Sequence, residues 1–149
     1  MTTYAPDVAK FGVLYPCHGI VVQFYVKERD NINYLSCHMY QRSGDAFLGV
    51  PFNISSYAIL VYILCEVINN DTEYTGLRFV PDRLTMSFGD VHIYQSHYDK
   101  VVEQLGRTPY TFPKLSFNRK IASLDDLEWE DIKVMGYEHH PKIRAGMVA

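Results

Sequence analysis

The stretch from Pro51 to Asn69, PFNISSYAILVYILCEVIN, limits what this chain can fold into more than any other. Proline suits a helix's first turn, where its missing N–H would have no intrahelical partner. Ser55 and Ser56 are tolerable early in such a helix. Ile54, Ala58, Val61, Leu64, Cys65 and Ile68 fall near helical spacing, and the remaining faces are apolar as well. A helix that is apolar nearly all round is central and covered on most sides. Asn69, Asn70 and Asp71 end it. The longest unbroken apolar run within it, Tyr57 to Cys65, is far too short to span a bilayer.

The flanking segments supply the sheet that such a helix requires. Gly19 to Lys27, GIVVQFYVK, is rich in β-branched and aromatic residues and predicts a buried strand. Glu28 to Asn33 is charged and turn-forming, and Tyr34 to Tyr40 reads as the returning strand of a hairpin. Hairpin geometry then brings Cys17 and Gln41–Arg42 to one rim. Gln41 to Asp45 reads as a turn. Tyr74 to Val80 predicts a strand broken at Pro81–Asp82, and Leu84 to Tyr94 resumes it. Gly89 marks a bulge or close approach. Ser96 to Leu105 predicts a polar-faced helix stopped by Gly106. Short strands follow at Lys114–Phe117 and Ile132–Met135, with Ser123 capping an acidic turn between them. Before the hairpin, Met1–Tyr4 reads as the tail of a strand, Ala5–Asp7 as a turn and Val8–Phe11 as one helical turn. There is no internal repeat.

Composition narrows the class. A chain of 149 residues is one domain's worth, and twelve tyrosines with eight phenylalanines favour broad, half-buried sheet surfaces. The net charge of −3 argues against general nucleic-acid binding, which needs a basic face. It leaves room for one small anion held by local arginines. Cys17, Cys37 and Cys65 form no even framework and no CxxC pair, which points to free thiols in a reducing compartment. The N-terminus has no basic-then-apolar signal pattern. The expectation is a cytoplasmic protein with no membrane and no nucleic acid among its partners.

Three islands carry the polar chemistry. Cys17 follows proline and precedes His18, and a thiolate whose pKa is lowered by a nearby cation is a strong nucleophile. By itself the Cys-His pair reads better as a buried structural cysteine than as a nucleophile, and Cys37–His38 reads as core. Cys17, His18, Cys37 and His38 fit no common zinc spacing. Arg42, between Gln41 and Ser43, suits a phosphate holder or a surface arginine equally. Asn53, between Phe52 and Ile54, has the donors and acceptor to read a base edge, or to cap a helix. Asp90, His92 and Tyr94 alternate along one strand and so share a face, which is either a site or a solvated surface. His139 and His140 read as a solvated tail.

Taken together, YPCHGIVVQFYV, MYQRSGDAFLGVPFNISSYA and GDVHIYQSH, in this order and at these intervals, closely resemble the thymidylate synthase family. Pro113-Lys114-Leu115 and the HHPKI of the tail fit as well. The resemblance runs over essentially the whole chain. It implies an α+β fold in the thymidylate synthase manner: a large bent mixed sheet, a buried central helix from about Pro51, and covering helices, all in one domain over 1–149. It implies a homodimer with sheets back to back.

The resemblance also implies a reaction, the methylation of dUMP to dTMP with 5,10-methylenetetrahydrofolate as co-substrate and no metal. Cys17 matches the nucleophile that adds to C6 of uracil. Arg42 and Ser43 match phosphate-binding groups, Gln41 lies beside them, and the backbone at Gly44 and Asp45 runs along the nucleotide. Asp45 also matches the carboxylate facing the folate pterin. Asn53 matches the reader of the uracil edge, accepting from N3–H and donating to O4. The related dCMP hydroxymethylases resemble this family with aspartate there. His92 and Tyr94, with Ile93 between them, match the pair that holds the deoxyribose hydroxyl, and Tyr94 is placed to help the C5 proton leave. Leu48, Gly49 and Phe52 match folate-lining positions, and Val148 the closing residue of the C-terminus.

Two departures qualify the match. The ending AGMVA is looser than the family's. Family members also carry nearly as much chain again before the position of Met1, including phosphate-binding arginines and a glutamate and tryptophan over the folate. The expectation is therefore a truncated catalytic region that works with a separate N-terminal half. The alternatives are a non-catalytic chain that binds dUMP or only dimerises, or a pyrimidine nucleotide hydroxymethylase.

Overall fold

A computed structural model describes Phe11 and residues 21–148. The expected features at Met1–Tyr4, Ala5–Asp7 and most of Val8–Phe11, and the Cys17–His18 pair, lie outside the described residues, as does Ala149.

The hairpin forms, with tighter bounds than its composition suggests. Strand β1 (Val21–Arg29) pairs antiparallel with β2 (Ile32–Asp45), from Val21 opposite Tyr40 to Arg29 opposite Ile32. Asp30 and Asn31 alone make the turn, at φ 53° and 58°. Two consecutive left-handed residues match the right-handed twist of the strands, and Asp and Asn tolerate that conformation best after glycine. The charged Glu28 and Arg29 therefore belong to β1. The pairing also sets the start of β1 beside Gln41 and Arg42.

Strand β2 runs five residues further than expected. Gln41 to Asp45 is strand and not a turn, because it pairs in parallel with β3 (Phe79–His92), from Ser43 opposite Asp90 to Asp45 opposite His92. Parallel neighbours need a crossover connection, and the helix α1 (Gly49–Asn70) supplies it. The sheet order is β1-β2-β3, mixed in direction. Pro81–Asp82 does not break β3. Pro81 sits opposite Leu35, where the register shifts before Cys37, and β3 is an edge strand among the described residues. A proline is tolerated at such a bulge on an edge.

The core lies between the sheet and one face of α1. Leu35, Cys37 and Met39 alternate along β2 and meet Val22 of β1 and Tyr57, Val61 and Cys65 of α1. The spacing of four on the helix and two on the strand is what lets these rows face each other. Two expectations need correction here. Strand β1 buries Val22 but leaves Tyr25 and Val26 exposed, and among the described residues it has a neighbour on one edge only. The helix is packed along one stripe, with Phe52 and Ile54 exposed and Tyr62 partly so, and is not covered on most sides by the described residues. Its 22 residues are long and apolar enough to cross a membrane by length and composition alone, so the brevity of the Tyr57–Cys65 run excludes nothing. Its Tyr57, Val61 and Cys65 lie in the sheet's core.

The remainder follows the sequence closely. Asn69 brackets the start of β3, donating to the Phe79 carbonyl (2.8 Å) and accepting from its N–H (2.7 Å). After a 3₁₀ turn at Gln95–His97 comes α2 (Tyr98–Leu105), two residues shorter than predicted at its start. Strands β4 (Lys114–Phe117) and β5 (Ile132–Met135) pair antiparallel in a separate two-stranded sheet. The described strands therefore make two sheets where one large sheet was expected. Ser123 accepts from the Asp125 N–H at 3.2 Å, as its capping role requires. The mixed architecture of sheet and helices is α+β.

Candidate functional site

The parallel pair β2–β3 has its carboxyl ends beside the amino end of α1, the place where crossover folds commonly leave a crevice for ligands. The Ala46 N–H donates to the His92 carbonyl at 2.9 Å and locks the two strand ends together. Asp45 then turns the chain. Its Oδ1 accepts from the N–H groups of Phe47 (2.9 Å) and Leu48 (3.2 Å), which lead into α1. One carboxylate oxygen is thus committed to backbone, and the other is left facing inward, 4.0 Å from His97 Nδ1.

Strand alternation divides the remaining residues between two faces. Met39 and Gln41 face the helix, while Tyr40 and Arg42 lie on the exposed face. Gln41 is 1% exposed, and its Nε2 donates both to the Ser43 carbonyl and to Asn53 Oδ1, each at 2.9 Å. A carbonyl can only accept, so the Ser43 contact fixes which end of the Gln41 amide is nitrogen. That in turn fixes Asn53 with its oxygen toward Gln41 and its NH2 directed away. Asn53 is therefore not the helix cap. It sits inside the first turns of α1, and Leu48 holds the N-cap position. Gln41 Oε1 is buried without a hydrogen-bond partner among the described residues.

Gly44 is buried here for a steric reason. A Cβ on it would come within 2.8 Å of Val50 Cγ2 and 3.3 Å of Gln41 Nε2. Gly49 is adjacent, and a Cβ there would stand 3.8 Å from Asn53 Oδ1. Gly89 shows the close approach predicted for it, since a Cβ would meet Tyr40 Oη at 2.6 Å and the Arg42 carbonyl at 2.8 Å.

His92 and Tyr94 are both half-buried and touch edge to face, with ring centroids 4.9 Å apart. His92 Nδ1 lies 3.1 Å from Asp90 Oδ2, so the Asp-His-Tyr stripe is a contiguous cluster, while Ile93 points outward at 39% exposure. Tyr94 leads on to His97, at 5.8 Å between centroids. Leu48 and Phe52 line a cleft of about 530 Å³ that Arg107, His140 and Ile143 close from the other side. Val148 is 39% exposed in the C-terminal segment.

The structure thus gathers Gln41, Gly44, Asp45, Gly49 and Asn53 beneath the amino end of α1, with His92 and Tyr94 at the adjoining strand end. Arg42 and the half-buried Ser43 lie along the same strand, with Arg42 directed to the other face. Cys17 lies outside the described residues. Sequence reasoning missed His97, which is 1% exposed and joins the two groups. Its signal was present in GDVHIYQSH, where a histidine stands just beyond the strand at the start of a helix. His38 was read as core with Cys37. Cys37 is buried, but His38 is on the exposed face and pairs with Ser87 Oγ at 2.8 Å. His140 is tied to the Thr108 carbonyl at 2.8 Å and stacks on Tyr110, so it is not a free tail residue. Among the described residues no group of three or more His, Cys, Asp or Glu side chains is arranged to hold a metal.

Burial pushes the Cys37 thiol upward and takes Cys65 to about 11, so both stay protonated and unreactive at neutral pH.

A family model described as thymidylate synthase matches residues 1–149. Among curated relatives, a thymidylate synthase from Mycoplasma mobile is 45% identical over 141 residues, which cover 95% of this chain and 44% of that protein. The chain spans less than half the length of that relative.

Proposed function

The chain belongs to the thymidylate synthase family, and from that premise we propose that it carries the nucleotide site of an enzyme that converts dUMP to dTMP. The observation that supports this reading best is the Gln41–Asn53 pair. Gln41 fixes the sense of the Asn53 carboxamide, so that one edge accepts and the other donates. Asn53 Oδ1 retains a second lone pair for the N3–H of uracil, and its NH2 donates to O4. Cytosine offers a lone pair at N3 and an amino group at C4, the reverse pattern, and is refused. This is why methylation of uracil is favoured over hydroxymethylation of cytosine.

The other groups divide the work. Cys17 is the nucleophile that adds to C6, which makes C5 carbanion-like. Ser43 and, from the other face of β2, Arg42 hold the phosphate, and a guanidinium near Cys17 would favour its thiolate form. His92, oriented by Asp90, holds the deoxyribose hydroxyl together with Tyr94, and the Tyr94 hydroxyl helps remove the C5 proton.

The folate co-substrate, when bound, supplies one carbon and a hydride. The residues present suit it: Asp45 commits only Oδ1 to backbone, leaving Oδ2 to meet pterin N–H donors, and Leu48 and Phe52 offer apolar surface in the cleft. Val148 closes over it. A second copy of the chain fits against the exposed outer face that carries Val21, Tyr25 and Tyr40, which would cover apolar surface no described residue covers. The free thiols Cys37 and Cys65 suit a cytoplasmic location.

The test is substitution at the nucleophile in the intact protein. Cys17→Ala leaves dUMP binding within about twofold, because the ring contacts of Asn53 remain, and lowers dTMP formation by several orders of magnitude. A Cys17→Ala protein with unchanged turnover overturns the assignment.

A further inference from the structure

The proposed reaction makes no use of one buried histidine that touches three parts of its site. His97 closes the 3₁₀ turn after β3 and is 1% exposed. Its Nε2 lies 2.9 Å from the carbonyl oxygen of Gly146, in the C-terminal segment. A carbonyl only accepts, so Nε2 carries the proton. Its Nδ1 is buried with no hydrogen-bond partner among the described residues, and faces Asp45 Oδ2 at 4.0 Å. The rings of Phe47 (5.4 Å) and Tyr94 (5.8 Å) pack against the imidazole. Asp45 Oδ1 is already committed to two backbone N–H groups, so Oδ2 is the oxygen that both His97 and an incoming ligand meet.

We propose that His97 is a positioning residue that latches the C-terminal segment against the site, its Nε2–H holding the Gly146 carbonyl while its Nδ1 edge faces the Asp45 carboxylate. The latch sets the distance between Val148, two residues beyond Gly146, and Asp45. It rests on the reading of Asp45 and Val148 as folate-facing groups. Removing the donor while keeping a ring in place loosens this segment and leaves the packing against Tyr94, one of the groups that hold the nucleotide.

Two substitutions in the intact protein test this. His97→Phe keeps a ring between Phe47 and Tyr94 but has no donor. His97→Gln places an amide N–H near the original Nε2. The first readout is the hydrogen-exchange rate of the Met147 and Val148 backbone amides. We expect exchange to be about five- to tenfold faster for His97→Phe, the effect of one lost hydrogen bond, and near the parent rate for His97→Gln. The second is a split in kinetics: the KM for methylenetetrahydrofolate rises by about the same factor in His97→Phe, while that for dUMP stays within about twofold. Equal exchange rates for the parent and a folded His97→Phe protein, or a His97→Gln protein no better than His97→Phe, overturn the proposal. Where His97→Phe does not fold, imidazole ¹⁵N resonances of the parent decide: a proton on Nε2 supports the latch, and a neutral ring protonated at Nδ1 alone removes it. Exchange rates and resonances do not depend on turnover, so a protein that makes no dTMP defeats the functional reading without deciding the latch.

Discussion

Gln41 Nε2 donates to Asn53 Oδ1 at 2.9 Å, from a position on β2 that is 99% buried. The bond crosses from the strand to the helix that follows it, and fixes the orientation of the group proposed to read the base. Gln41→Met keeps the length and most of the volume of the side chain but cannot donate. Asn53 is then free to turn over. The preference for dUMP over dCMP is expected to fall about five- to tenfold, the value of one hydrogen bond. Titration calorimetry with both nucleotides on parent and variant measures it.

Gly89 and Gly44 separate stability from binding. In Gly89→Ala the new methyl meets Tyr40 Oη at 2.6 Å and the Arg42 carbonyl at 2.8 Å. The carbonyl belongs to a paired strand and cannot move alone, so the expected loss is about 1–3 kcal/mol in denaturant unfolding. In Gly44→Ala the nearest atom is the Val50 Cγ2 methyl at 2.8 Å, which a side-chain adjustment relieves, and the next is Gln41 Nε2 at 3.3 Å. Gly44→Ala is therefore the milder change in stability and the more severe in nucleotide affinity.

Thiol reactivity follows burial. Cys37 and Cys65 are 1% and 3% exposed, and burial raises both thiols, Cys65 to about 11. Neither is expected to react with an aromatic disulfide reagent at neutral pH until the protein unfolds. Any fast-reacting thiol of the native protein is assigned to Cys17 and should disappear in Cys17→Ala.

Acid sensitivity has one identifiable source in the second half of the chain. The Asp131 carboxyl is held below its usual range by the Glu128 backbone N–H, and further by Arg119, whose Nε and Nη2 each lie 2.8 Å from a carboxylate oxygen. A depressed folded-state pKa stabilises the fold above the unfolded value near 3.8, and this contribution is lost as pH falls through the folded value. Thermal midpoints taken at falling pH should drop less steeply for Asp131→Asn than for the parent. Equal slopes would show that Asp131 is not a source of the acid sensitivity.

Much of the fold was legible because hydrophobic period and turn chemistry agreed. The helix at Pro51–Asn69 was found to within two residues at its start and one at its end. The strand ending at Tyr40 was not, because its extension through Gln41–Asp45 carries polar residues and a glycine. Those residues are strand only because β3 lies alongside in parallel, a partner that local sequence does not reveal. Pro81 misled for the converse reason: a proline normally argues against a strand, and here it falls at a register shift on an edge. At the site, the motifs marked Asn53, His92 and Tyr94, but not the dependence of Asn53 on Gln41 or the contacts of His97. Both run between residues distant in the chain, 12 positions for one and 49 for the other.

Product stoichiometry distinguishes uracil methylation from its alternatives. The intact protein is incubated with dUMP and methylenetetrahydrofolate, and nucleotide and folate products are separated and quantified. dTMP and dihydrofolate are expected in equal amounts, since carbon and hydride leave the same co-substrate. A hydroxymethylated nucleotide accompanied by tetrahydrofolate, or no nucleotide product at all, would contradict it.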